Sequence, residues 1–425
     1  MGYDVAEIRG RYTSITNGWT YLNALEAPQL PERVSAAIAR GVREAAIAQH
    51  PDTAAVAGSH RRGTISSPTL RGAEFTQTAS LAIADLVGVS SDAVILGPSR
   101  EALLERLQRA SGLSQRSFEA PRRGRHSKSN TPDAEYAVVV GRGNAVRTAL
   151  EEDLAAANQL GIAEPDLGTG EIPDWQFVDL VSAHTRLVVI DAANPYVGAI
   201  HDVAAIAAEV RTQGSALILV DATAIAPYRP VRMSELDADV ILLDCAFLGG
   251  PQVAALAFRD PVIIDNLDTR YFHQDVSLGL LSGVAEAIDL QSRMIPEVRG
   301  TRRKRLAAGM PEVARHFLGM SHYLSDSLDS MHAVHVFGVS GELAGMQQER
   351  CERLPTATFC IPGVPATTIL DRLYSHGLVA TRTPADPVLE AMGLDETEGA
   401  VTVTLAAFNT TGDVDQLLRA LASLA

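Results

Sequence analysis

The sequence predicts an α/β protein: a mostly parallel central sheet sandwiched by helices, followed by a smaller α+β C-terminal part. Three observations predict this. Residues 216–258 hold three short apolar runs, at 216–220, 240–243 and 253–258, each bounded by turn residues or charge and so read as buried strands. Upstream, apolar runs at 93–96, 136–140 and 187–190 alternate with stretches of helical spacing, the pattern of a parallel sheet covered on both faces. After residue 258 the texture changes. Long helices are expected at 278–294 and 306–328. Short strands follow at 334–337, 356–361, 378–381 and 401–405, interleaved with helices at 366–376 and 414–424.

Taken in order, residues 1–20 read as an N-terminal arm. Over 31–49, Pro31 stands at a helix start and apolar residues fall at helical spacing. The loop His60-Arg61-Arg62-Gly63 is either a solvated basic loop or a place where two arginines bind an anionic ligand. A helix is expected over 69–86. The strand at 93–96 then runs through Gly97-Pro98-Ser99 into a helix at 100–110. A turn of that kind offers free backbone N–H groups and a positive dipole end to an anion, with Ser99 as hydroxyl donor. Ser99 equally suits a helix cap, with Glu101 in the first turn. Residues 114–134 are rich in basic and small polar residues and read as a flexible surface insertion. A helix at 147–160 and the strand at 187–190, ending at Asp191, lead to the loop Asn194-Pro195-Tyr196-Val197-Gly198 and an amphipathic helix at 202–211. Gly249-Gly250-Pro251 joins the second and third apolar runs, which predicts an antiparallel pair on an otherwise parallel sheet. The plan is an arm at 1–20, a large α/β domain at 21–290 containing the insertion, and a small α+β domain at 291–425.

Composition narrows the function. With 425 residues the chain is long enough for two domains and a large core. A net charge of −15, with no concentrated basic patch outside the insertion, argues against nucleic acid as a partner. Three cysteines, Cys245, Cys351 and Cys360, show no C-x-x-C spacing, so neither a disulfide framework nor a metal site is expected. No apolar run approaches the length of a membrane span and the N-terminus lacks an apolar leader core, so a cytoplasmic protein with no membrane partner is expected.

Asp221 closes the first apolar run, Asp244 closes the second, and Gly250-Pro251 makes the turn that follows. With the Asn194–Gly198 loop and the His60–Gly63 loop, this order resembles the class V aminotransferases, the pyridoxal-phosphate (PLP) enzymes that include the cysteine desulfurases. The resemblance runs from about Tyr21 to the end, apart from the insertion. It implies PLP-transferase fold type I and a homodimer with its sites at the subunit interface. It implies that Asp221 pairs with the pyridine nitrogen, that Ser99 lies on the phosphate-binding turn, and that Asn194 belongs to the family's Asn-x-Leu-Gly loop.

The chain also departs from the family. The Ser-Gly-His-Lys motif is replaced by Asp244-Cys245-Ala246-Phe247, which puts Phe247 at the lysine position. A Schiff base needs a primary amine, and Phe has none. The two lysines of the chain, Lys128 and Lys304, fall in the insertion and in an Arg-rich helix start. The phosphate-binding Ser and His become Asp244 and Ala246, and an ionised Asp244 would repel a phosphate. Ala145 and Ala224 stand where ring-contacting side chains are expected, and Phe272-His273-Gln274-Asp275 replaces a Gly-Thr that reaches the partner's phosphate. On the substrate side, Thr381 takes the carboxylate-binding arginine position, with Arg382 one residue off, and the loop Pro384-Ala385-Asp386-Pro387 lacks a desulfurase's cysteine.

Two functions are therefore expected in competition. One is a repurposed or non-catalytic family member that binds a small molecule or partner. The other is an active PLP-type enzyme on an amino-acid-like substrate, holding its cofactor non-covalently through Asp221 and Ser99. Either pocket would include Phe247, Asp244, Ala246, Arg62 and Arg382. A Phe247 ring filling the cofactor's volume favours the first, and an open polar pocket beside it the second.

Overall fold

The structure, a computed structural model, describes residues 2–15, 17–49, 69–111, 136–143, 160–273, 275–338 and 352–424. The basic loop with Arg62, the insertion with Lys128, Ala145, Gln274, Cys351 and the expected helix at 147–160 (except Leu160) lie outside the described residues.

The chain opens with α1 (Val5–Arg9), β1 (Thr20–Tyr21), α2 (Glu32–Glu44) and the antiparallel pair β2 (Ala48–Gln49) and β3 (Thr69–Leu70). Next come α3 (Arg71–Val87), β4 (Val94–Gly97), α4 (Arg100–Ala110), β5 (Val138–Gly141), β6 (Leu160–Ala163), α5 (Gln176–Leu180), β7 (Leu187–Asp191) and α6 (Val203–Gln213). The central stretch supplies β8 (Leu217–Asp221), α7 (Met233–Leu236), β9 (Val240–Asp244), β10 (Ala254–Phe258) and α8 (Pro261–Asp265). Together β4-β10-β9-β8-β7-β5-β6 form a seven-stranded sheet. The strands from β9 to β6 are parallel, and β10 runs antiparallel to both β9 and β4, as the Gly249–Pro251 turn predicts. Gly249 takes a left-handed φ of 71°, which a residue with a Cβ rarely adopts. Val188–Ile190, Ile218–Val220 and Val240–Leu243 are all fully buried, the mark of parallel strands covered on both faces.

Helices α9 (Leu278–Gln291) and α10 (Arg302–Asp329) connect to a four-stranded antiparallel sheet, β11-β12-β15-β14, built from β11 (His335–Val336), β12 (Thr356–Cys360), β14 (Thr381–Arg382) and β15 (Val401–Thr404). Helices α11 (Ala366–Ser375), α12 (Pro387–Ala391) and α13 (Thr411–Leu421) complete this part, and β13 (Leu378–Val379) pairs in parallel with β1. One continuous buried cluster runs from the large sheet to the small one.

Four details differ from the sequence reading. The expected arm is anchored at Tyr3, which stacks on His316 with ring centroids 4.1 Å apart and donates its hydroxyl to the Ala407 carbonyl at 2.8 Å. The helix expected over 31–49 stops at Glu44, because residues 45–49 hydrogen-bond to residues 69–72, a long-range partner that periodicity does not reveal. The strand expected at 378–381 divides, its first half pairing with β1 and its second with β15. Strand β6 begins at Leu160, where a helix was expected to end.

Helices α2 and α9 approach closely through glycines. A Cβ on Gly279 would lie 2.6 Å from the Cα of Val42 and 2.8 Å from its nitrogen, both backbone atoms. Gly279→Ala should therefore cost about 1–3 kcal/mol. Urea unfolding checks this as a lower midpoint with an unchanged slope.

Candidate active-site cavity

Three neighbouring parallel strands, β7, β8 and β9, each end in an aspartate: Asp191, Asp221 and Asp244. The register sets Asp191 opposite Asp221. The carboxyl edge of a parallel sheet is where ligands bind in open α/β folds. A cavity of about 570 Å³ opens over this edge. Its walls include Tyr196 from the loop after β7, Phe247 from the 3₁₀ turn Cys245–Leu248, and Asp386 from the loop after β14.

Arg100, the first residue of α4, reaches across this edge. Its Nη1 donates to Asp221 Oδ2 at 2.9 Å, while Asp221 Oδ1 accepts the Thr223 N–H at 2.9 Å. Both oxygens of this buried carboxylate are thus engaged. The same guanidinium lies 5.9 Å from the Phe247 ring centroid, within cation–π range. Thr223 also accepts the Asp244 N–H through its hydroxyl at 3.1 Å, tying the end of β8 to the end of β9. Asp244 Oδ1 accepts the Ala246 N–H at 2.9 Å and so caps the turn that carries Phe247.

The cavity is acidic. Asp191, Asp221, Asp244, Asp386 and Glu26 face one cation among the described lining residues, Arg100. Burial pushes the Asp244 carboxyl above the usual range and the Asp221 charge adds to this, against the pull of the Ala246 N–H and Arg100. Asp191 is raised well above that range, chiefly by burial and then by Asp221. Tyr196 is raised by burial and by Glu26, to which its hydroxyl donates at 3.4 Å.

Of the residues expected at a site, Asp221, Asp244, Ala246 and Phe247 come together around the cavity, and Ala224 joins them. Ser99 caps α4, its hydroxyl accepting the Ala102 N–H at 3.2 Å. Asn194 Oδ1 accepts the Tyr196 and Val197 N–H groups, both at 2.9 Å, and so holds its own loop, which closes at Gly198 with φ 79°. Neither lines the cavity, nor does Arg382, which is exposed on β14. Lys304 is exposed near the start of α10. Cys245 is fully buried, with its thiol pushed up by burial, and Cys360 is shifted the same way, so neither has the character of a nucleophile. Among the described residues no group of three or more His, Cys, Asp or Glu could hold a metal ion.

Sequence reasoning missed Arg100. A signal was present: a cation at the first helical position runs against the helix dipole, which favours anions there. That cost is offset only if the side chain has a partner beyond the helix.

The sequence profile of the family "Aminotransferase class-V" matches residues 150–256. "Uncharacterized protein MT3887" of Mycobacterium tuberculosis is 32% identical over 449 residues, covering all of both chains. The chain belongs to the class V aminotransferase family. Solved structures agree on the fold. The apo cysteine desulfurase from Thermococcus onnurineus superimposes with a TM-score of 0.72 at 15% identity, over 99% of this chain and 97% of that one. The cysteine desulfurase CsdA from Escherichia coli gives 0.72 at 14% identity, over 100% and 98%. This class V family member thus has the fold type I architecture that the resemblance implies.

Two outcomes test the electrostatics. Arg100→Met leaves a buried carboxylate without its counter-charge, which should cost about 3 kcal/mol. Adding Asp221→Asn should recover most of that loss, and urea denaturation of the single and double variants measures the coupling. Asp244 tests the opposite sign. A carboxyl with a raised folded pKa binds its proton more tightly folded than unfolded. It therefore withdraws stability as pH rises from the ordinary value of 3.8 through its raised one. Asp244→Asn keeps the acceptor for Ala246 and should melt higher than the parent near pH 7, the gap closing as pH falls toward about 4.

Proposed function

We propose that this class V aminotransferase family member has given up covalent PLP chemistry and binds a small molecule in the cavity at the carboxyl edge of its sheet. The observation that carries this reading is the state of Asp221. The residue that by resemblance would pair with a pyridine nitrogen already pairs with Arg100 and with the Thr223 N–H. Its surroundings support the same reading. Phe247 offers no amine, Asp244 and Ala246 replace phosphate ligands, and Ser99 spends its hydroxyl on the first turn of α4. These residues do not fit PLP. The cavity nevertheless stays open beside Phe247, at a volume typical of small-molecule sites. That openness favours a ligand-binding protein over an inert scaffold.

An open polar pocket was also the condition that favoured an enzyme holding PLP non-covalently. That reading needs Asp221 and Ser99 available, and both are engaged within the chain. By resemblance we further infer a homodimer with a large domain at 21–290 and a small one at 291–425, and we propose the cytoplasmic location expected from the sequence. Among the described residues no helix is long and apolar enough to cross a membrane.

An absorbance titration with PLP, followed by borohydride reduction and intact-mass measurement, tests the proposal. No reducible adduct is expected, either in the parent or in Phe247→Lys, because restoring an amine leaves Asp221 paired and Asp244 facing the phosphate. A stoichiometric adduct on Lys128 or Lys304 of the parent would overturn it.

A further inference from the structure

The acids around the cavity are unequally compensated. Asp221 has Arg100 and a backbone N–H, and Asp386 caps α12, its Oδ1 accepting the Val388 and Leu389 N–H groups. Asp244 receives one backbone N–H, and Asp191 and Asp244 receive no side-chain donor from the described residues. These two carboxylates end the strands on either side of β8. Asp191 lies level with Asp221, while Asp244 lies two residues beyond Leu242, the partner of Asp221 on β9. Two inter-strand spacings and this stagger set the two acids about 12 Å apart.

The molecule also supplies an example of what this cavity accommodates. The Arg100 guanidinium is held there by a carboxylate on one side and an aromatic ring on the other. It satisfies one of the three strand-end acids and leaves the outer two. A metal ion is a poor occupant, since no described group of side chains converges as metal ligands would. An anion would meet the like charges of Asp191 and Asp244 at close range in a site of lowered dielectric.

We propose that the cavity's ligand is a small organic dication, a linear diamine or amino-guanidine, whose two basic ends pair with Asp191 and Asp244 while its stem lies along Phe247. This rests on the reading of the cavity as a small-molecule site and names the ligand class for it. Each ammonium or guanidinium forms a charge-assisted hydrogen bond with a carboxylate that burial otherwise penalises. The four-carbon stem of 1,4-diaminobutane suits the gap between the two acids.

Isothermal titration of the full chain with three four-carbon probes tests the proposal: 1,4-diaminobutane, butylamine and succinate. The diamine should bind at least tenfold more tightly than the monoamine, and succinate should give no binding heat. Asp191→Asn/Asp244→Asn should weaken diamine binding at least tenfold while leaving the circular dichroism spectrum and a cooperative melt in place. Diamine binding unchanged in that variant, or succinate binding in preference to the diamine, overturns the assignment. A thermal-shift screen of diamines and of neutral and anionic metabolites, with Ala246→Trp to block the cavity, separates this failure from that of the broader reading. A stabilising anion lost in Ala246→Trp sinks the dication and keeps a small-molecule site. The absence of any stabilising compound, diamines included, sinks both.

Discussion

A single ion pair sets the character of this protein. Arg100 and Asp221 are 121 residues apart in sequence and 2.9 Å apart in the fold. A carboxylate this deeply buried carries a large desolvation penalty unless it is paired and hydrogen-bonded. Arg100 and the Thr223 N–H meet that need from inside the chain. The pair also locks α4 to the end of β8 and places a cation over Phe247. The geometry of the neighbouring turn follows from the same edge, since Asp244 caps it and Thr223 links it back to Asp221.

The cavity owes its place to the sheet rather than to the residues at its rim. Parallel strands must end somewhere, and their carboxyl ends with the following loops leave a crevice regardless of sequence. Here the crevice is lined by Asp191, Asp221, Asp244, Asp386 and Glu26, with Arg100 the one cation among the described lining residues. The fold persists because the buried apolar strands hold it, and they do not depend on the residues at their tips.

Much of the fold was legible. Apolar runs ended by acids located β7, β8 and β9 to within a residue or two, and Gly249-Gly250-Pro251 announced the reversal into β10. Ser99 as a helix cap was one of two readings open from sequence, and it is the one its hydrogen bond supports. Less legible were segments whose conformation depends on a distant partner. Residues 45–49 leave their helix to pair with 69–72, and the stretch at 378–382 is shared between two sheets. Periodicity records a segment's own faces and says nothing of which strand it will meet.

The sequence by itself determined the strand ends, the absence of an amine at Phe247 and the excess of acid at the motif, because these are matters of residue identity and local pattern. Only the tertiary structure decided that Arg100 neutralises Asp221, that Asn194 is spent on its own loop, and that Asp191 and Asp244 flank the same cavity without a described side-chain cation of their own. The physical reason is that compensation of buried charge is settled by proximity in space. The chain order holds Arg100 and Asp221 far apart, and only the packing of α4 against the sheet brings them within hydrogen-bond distance.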